Sequence, residues 1–134
     1  MAPRLPFSVS LRTGEPIADQ VIFAVTRAVV TGQLRAGEMF PSVRTLSQEL
    51  KINPNTAHRI VAALTEDGLL EVRPGIGTVV SAGDAEGDPA RRAMLEDEVE
   101  RLVIEGRRVG LTLNEVIAVV RRQWAETSYE RGKG

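Results

Sequence analysis

The sequence predicts a mainly α fold with a small β-wing, followed by a separate pair of helices. Three observations carry this. Apolar residues recur at helical spacing over residues 17–31, 43–50 and 54–66. Two short β-prone runs, Leu69–Arg73 and Thr78–Ser81, flank the turn Pro74-Gly75-Ile76-Gly77. A polar stretch near residue 85 then separates these elements from two further amphipathic helices.

In chain order, Leu5 to Leu11 alternates, with Phe7, Val9 and Leu11 on one side and Ser8 and Ser10 on the other. That period of two predicts a short strand. Thr13-Gly14 turns the chain, and Pro16 opens a helix to about Thr31 with Ile17, Val21, Val25, Ala28 and Val29 on its apolar face. Gly32 ends it, Leu34 to Glu38 forms a turn, and Met39-Phe40 supplies a single rung beside the hairpin. Ser42 caps the next helix, since its hydroxyl accepts from free amides of the first turn. Val43, Leu46 and Leu50 face its core side. The residue before a proline is pushed out of the α region, so Ile52-Asn53-Pro54 breaks that helix. Asn53 caps a second helix and Pro54 opens it. Ala57, Ile60, Val61 and Leu64 form its apolar side, and Gly68 stops it.

The opposite side of that helix carries the chemistry. Asn55, His58, Arg59 and Ala62 fall at i, i+3, i+4 and i+7. They make a small, polar, partly cationic strip that begins at a helix N-terminus. Short side chains, hydrogen-bonding groups and free amides suit a helix that enters a DNA groove. Helix, break, helix and hairpin in succession is the order of a winged helix-turn-helix.

The letters resemble one family. PSVRTLSQEL, NPNTAHRIVAALTEDGLL and GIGTVV, in a stretch running from about Phe7 to Ser81, are similar to the GntR family of bacterial transcription regulators. The short C-terminal part and the opening FSVSLRTGEPIADQV resemble its YtrA subfamily. The resemblance implies a dimeric repressor of double-stranded DNA with a palindromic operator. It implies that Arg44 contacts DNA and that Asn53, Asn55 and Thr56 are reading positions at the start of the recognition helix. Arg59 matches a basic position there, and Ser42 falls in the same matched stretch. His58 stands where the family often has arginine, and imidazole lacks the guanidinium fork for a bidentate guanine contact. In the wing, Arg73, Gly75, Gly77 and Thr78 match, while Pro74 and Ile76 replace the usual arginines. Glycine amides there can approach phosphate closely.

The domain expectation is 1–82 for the winged helix-turn-helix, 83–90 for a linker and 91–134 for a helical dimerisation hairpin. The hairpin carries Leu95, Val99, Leu102 and Val103 on its first helix and Leu113, Val116, Ile117, Val120 and Trp124 on its second. Thr112 with Glu115 makes a capping box between them. Two helices alone leave much of such a stripe wet, and the simplest cover is the same hairpin from a second subunit. Glu126 to Gly134 is polar and expected to fray.

Composition bounds the alternatives. Hydrophobic residues make up 43% of 134, ordinary for a globular chain, and aromatics only 4%, so the core must be aliphatic. With no cysteine and one histidine, thiolate metal sites, disulfides and histidine triads are excluded. No nucleophile–base pair or phosphate loop is visible, so neither an enzyme nor a cofactor is expected. The N-terminus lacks a signal-peptide core and no run spans a bilayer, which predicts a cytoplasmic protein.

The formal net charge of −1 is unusual for a DNA binder. Residues 1–82 hold 8 Lys+Arg against 7 Asp+Glu, a balance of +1, and residues 83–134 hold 9 against 11, a balance of −2. Near-neutrality motivates one competing function, a winged-helix module that binds protein without specific DNA binding. Arg44, Lys51, Arg59 and Arg73 nevertheless gather in the helix-turn-helix and wing. A hairpin this short leaves little room for a pocket of a few hundred Å³. The cleft between the domains could hold an unidentified small-molecule effector.

Overall fold

Residues 5–83 and 88–127 are described by a computed structural model. The described residues up to Gly83 form one compact unit and those from Asp88 a second.

The first unit begins as an extended arm. The expected strand over residues 5–11 is not formed. An extended chain alternates its side chains whether or not a partner strand lies beside it, and here the arm lies on side chains. Phe7 is buried and stacks on Phe40, with ring centroids 5.8 Å apart and planes 2° from parallel. Leu5 and Val9 pack against the same core, while Leu11 stays outside. The following turn is pinned by Gln20, whose Oε1 accepts from Arg12 N and whose Nε2 donates to the Arg12 and Glu15 carbonyls.

Helix α1 runs Ile17–Val30 and buries Val21, Val25 and Ala28. Ile17, expected on that face, lies in the opening turn and is exposed. The helix closes through Gly32, at φ 83°, with Leu34 N donating back to the Ala28 carbonyl. Leu34 is thereby folded into the core.

Helix α2 spans Val43–Leu50, and Ser42 Oγ accepts from Thr45 N at 3.1 Å as its cap. Its only buried polar side chain, Ser47, donates to the Ile52 carbonyl at 2.7 Å. Helix α3 spans Pro54–Glu66, and Asn53 Oδ1 accepts from Asn55 N at 2.7 Å. Ala57, Ile60 and Leu64 are completely enclosed against α1 and α2.

The break between α2 and α3 depends on Lys51, which adopts φ 55°, ψ 49°. A side chain in that left-handed conformation crowds its own carbonyl and costs about 1 kcal/mol. Lys51→Gly is therefore expected to stabilise the unit by about 0.5–1 kcal/mol, read as a raised midpoint in chemical denaturation. An unchanged or lowered midpoint would refute the strain.

Gly68, at φ 82°, turns the chain from α3 into the wing. Strands β1 (Leu70–Arg73) and β2 (Gly77–Val80) pair antiparallel, with Leu70 opposite Val80 and Arg73 opposite Gly77. The expected rung is present: Met39 bridges Val79, and hydrogen bonds from Gly37 N to the Val80 carbonyl and from Phe40 N to that of Thr78 extend it.

The second unit holds α4 (Pro89–Arg108) and α5 (Leu113–Glu126). Helix α4 starts two residues before the expected boundary. Asp88 Oδ1 accepts from Ala90 N and Pro89 takes the first helical position, a start signal that looks like linker composition. The rest of the expected linker (84–87) and the end of the tail (128–134) lie outside the described residues. The capping box is formed: Thr112 Oγ1 accepts from Glu115 N, and Glu115 Oε1 accepts from Thr112 N. Those bonds hold the Glu115 carboxyl below its ordinary pKa. Gly106 is buried where α4 meets Val116 of α5; a Cβ there would stand 3.3 Å from Val116 Cγ2.

Candidate nucleic-acid interface

The rotational setting of α3 decides what it presents. Its buried positions, 57, 60 and 64, fix one side inward, so Asn55, His58, Arg59 and Ala62 are all exposed on the other. Thr56 is half-buried at the edge of the strip. Asn55 and Arg59 are one turn apart and rise from the N-terminal half, where unpaired amides leave a partial positive charge. The acidic Glu66 and Asp67 lie at the opposite end, about 16 Å further along the axis from Asn55.

Two of the expected DNA-binding residues have their side-chain oxygens in use. Asn53 Oδ1 caps α3, so its side-chain amide nitrogen is the group left to donate. Ser42 Oγ caps α2 and also donates to Thr45 Oγ1 at 3.1 Å. Their contribution is to fix where the two helices start. Arg44 stands in the first turn of α2, exposed, with Leu46 and Ser47 of the same helix inside. Arg44 and Arg59 have no ion pair or side-chain hydrogen bond among the described residues.

The wing supplies the remaining candidates. Ile76 N donates to the Arg73 carbonyl at 3.0 Å and closes the turn. Gly75 and Gly77 hold φ of 78° and 125°, conformations that side chains rarely adopt. At Gly77 a Cβ would also stand 3.1 Å from Met39 Cε, so the glycine lets that methionine lie on the hairpin. Thr78 is half-buried, whereas Val72 and Ile76 are exposed and give the tip an apolar character. Arg73 is not free. Its Nε and Nη2 both donate to Glu71 Oε1, at 3.2 and 2.8 Å. Glu71 carries no mark of DNA binding in the sequence, although two residues along a strand is the spacing that puts two side chains on one face.

The expected dimerisation residues lie in the second unit, and most of them are open to solvent there. Leu95, Val99, Leu102, Val103, Leu113, Ile117, Val120 and Trp124 are exposed, from 37% at Ile117 to 76% at Trp124. Val116 alone is half-buried, against Gly106. Met94, Ile104, Leu111 and Val119 extend the exposed apolar surface. The hollow beside Val103, Leu111 and Val116 measures about 90 Å³, below the size of an ordinary ligand site. No helix among the described residues is long and apolar enough to cross a membrane.

Comparison with known proteins gives the family. Residues 17–80 match the family described as bacterial regulatory proteins, gntR family. The HTH-type transcriptional regulator YhcF of Bacillus subtilis is 30% identical over 75% of this chain and 80% of its own length. The HTH-type transcriptional repressor YtrA of the same organism is 28% identical over 78% of this chain and 82% of its own. Among solved structures, a GntR family transcriptional regulator from Listeria monocytogenes is 27% identical. It covers 84% of this chain and 98% of its own, with a TM-score of 0.60. A transcriptional antiterminator from Listeria monocytogenes EGD-e reaches a TM-score of 0.81 at 20% identity, covering 90% of this chain and 91% of its own, a likeness of fold alone.

Proposed function

The chain belongs to the GntR family of bacterial regulatory proteins, with a YtrA-like build, and on that footing we propose that two copies together repress transcription from an inverted-repeat operator. The observation that carries the reading is the setting of α3: its apolar side is enclosed while Asn55, His58 and Arg59 project outward from its amide-rich end. In this account α3 enters the major groove. Asn55 and Arg59 reach base edges, Asn53 and Thr56 approach the backbone, and His58 offers one ring nitrogen at a time. Arg44 joins them from α2, and Ser42 sets its position. Arg73, the amides of Gly75 and Gly77, and Thr78 follow the flanking phosphates.

The apolar stripe of α4 and α5 supports pairing through the second unit. So many large apolar side chains left in water on two helices are unusual for a monomer. A two-fold arrangement of the hairpins covers Leu102, Ile117 and Val120 with the same residues of the partner. In this reading each copy delivers one α3 helix to one half of the operator. Repression then follows by occlusion of a promoter in the cytoplasm, and relief would require an effector acting outside the small hollow of the hairpin.

The test is selection of genomic fragments by the purified full-length protein. An inverted repeat shared by the recovered fragments is the expected outcome. Fragments without any common sequence would instead favour a winged helix that binds protein, the reading that the near-neutral charge suggests.

A further inference from the structure

We propose that Glu71 sets how tightly the wing grips DNA, by occupying the Arg73 guanidinium when no duplex is bound. The inference deepens the DNA-binding reading above and rests on it. The two residues lie on one face of β1, and two of the three donor nitrogens of Arg73, Nε and Nη2, converge on the single oxygen Oε1 of Glu71. Arg73 stands opposite Gly77, at the base of the turn expected to meet phosphate. Of the three arginines at the candidate interface, the wing's is therefore the one whose charge is cancelled locally. Arg44 and Arg59 carry no such partner among the described residues.

The pair is exposed, with 48% of the arginine and 44% of the glutamate side chain open to solvent. An ion pair in that setting shifts an equilibrium by no more than about fivefold, so a phosphate can displace the carboxylate. The carboxylate nevertheless stays beside the phosphate after displacement and repels it. Both effects weaken binding, and neither depends on base sequence, because in the reading above Arg73 follows phosphates and not base edges. Glu71 therefore lowers operator and non-operator affinity by the same factor. It trims the sequence-independent part of binding, which governs how long the protein dwells on the wrong sites.

The experiment compares wild type, Glu71→Gln, Arg73→Gln and the double variant on a recovered operator and a scrambled duplex, across a range of salt. Glu71→Gln is expected to tighten both complexes about threefold to fivefold at low salt. It should steepen the salt dependence of log K by about 0.9 per chain. In the Arg73→Gln background the same change should have no effect. In the free protein, nitrogen-detected NMR should show the Arg73 Nε–H exchanging faster in Glu71→Gln than in wild type. Wild-type affinity in Glu71→Gln, or tightening that persists without Arg73, would overturn the inference while leaving operator binding intact. A wild-type protein that binds no duplex would overturn the DNA-binding reading and this inference together.

Discussion

Val120→Asp is expected to turn the proposed dimer into monomers and to weaken operator binding by about 10²–10⁴-fold. Val120 sits on α5 and is 44% exposed in a single chain. A charge at an exposed site costs a monomer little, usually within about 0.5 kcal/mol. Inside a two-fold hairpin interface the same carboxylate would face apolar residues, twice over by symmetry, without the solvation it needs. Splitting the dimer removes the link between two weak half-site contacts. That link is worth about 10²–10⁴ in affinity when both sites can be engaged at once. Sedimentation equilibrium checks the first half and gel-shift titration the second, with circular dichroism verifying that the helices persist. A Val120→Asp protein that still sediments as a dimer would place the interface elsewhere. A monomer with undiminished operator affinity would separate dimerisation from function.

The second large effect is expected at the arginines. Arg44→Ala and Arg59→Ala should each weaken operator binding by about 1–3 kcal/mol if their guanidinium groups touch base edges. Neither should unfold the protein, because both side chains are exposed and no internal partner among the described residues depends on them. The two modes of contact are separable. Loss of a base contact relaxes discrimination at one operator position, whereas loss of a phosphate contact lowers affinity for all duplexes and reduces the salt slope by about 0.9. An arginine whose removal leaves both affinity and slope unchanged is a surface residue without a part in recognition.

Much of this architecture is legible in the sequence because local chemistry and global fold agree. Ser42, Asn53-Pro54 and Thr112 with Glu115 each announce a helix start, and each cap is formed as read. The apolar periods of α1 and α3 fix which sides go inward, and the inward side of α3 determines the outward strip by exclusion. Other features are not local and escape a linear reading. The alternation at Phe7 and Val9 specifies an extended arm but not what lies beside it. Its anchor is Phe40, thirty-three positions away. Lys51 takes a left-handed conformation that composition alone would assign to glycine. Gly106 looks like an ordinary helix breaker until Val116 is seen to pack against it.

The candidate site divides in the same way. The outward residues of α3 follow from periodicity, so Asn55, His58 and Arg59 were identifiable beforehand. What each side chain is already doing follows only from coordinates. Asn53 and Ser42 are engaged as caps, and Arg73 is engaged by Glu71. The net charge of −1 is a poor guide for a related reason. The acidic residues Glu66 and Asp67 lie at the far end of α3 from the strip, so the total hides a separation that matters at distances near a Debye length of about 8–10 Å.

Placement of α3 in the major groove is tested most directly by methylation protection of a selected operator. If the account holds, bound protein shields guanine N7 atoms in two patches on one face of the duplex, about one helical turn or 34–36 Å apart. Unaltered N7 reactivity throughout a duplex that the protein demonstrably retains would contradict it.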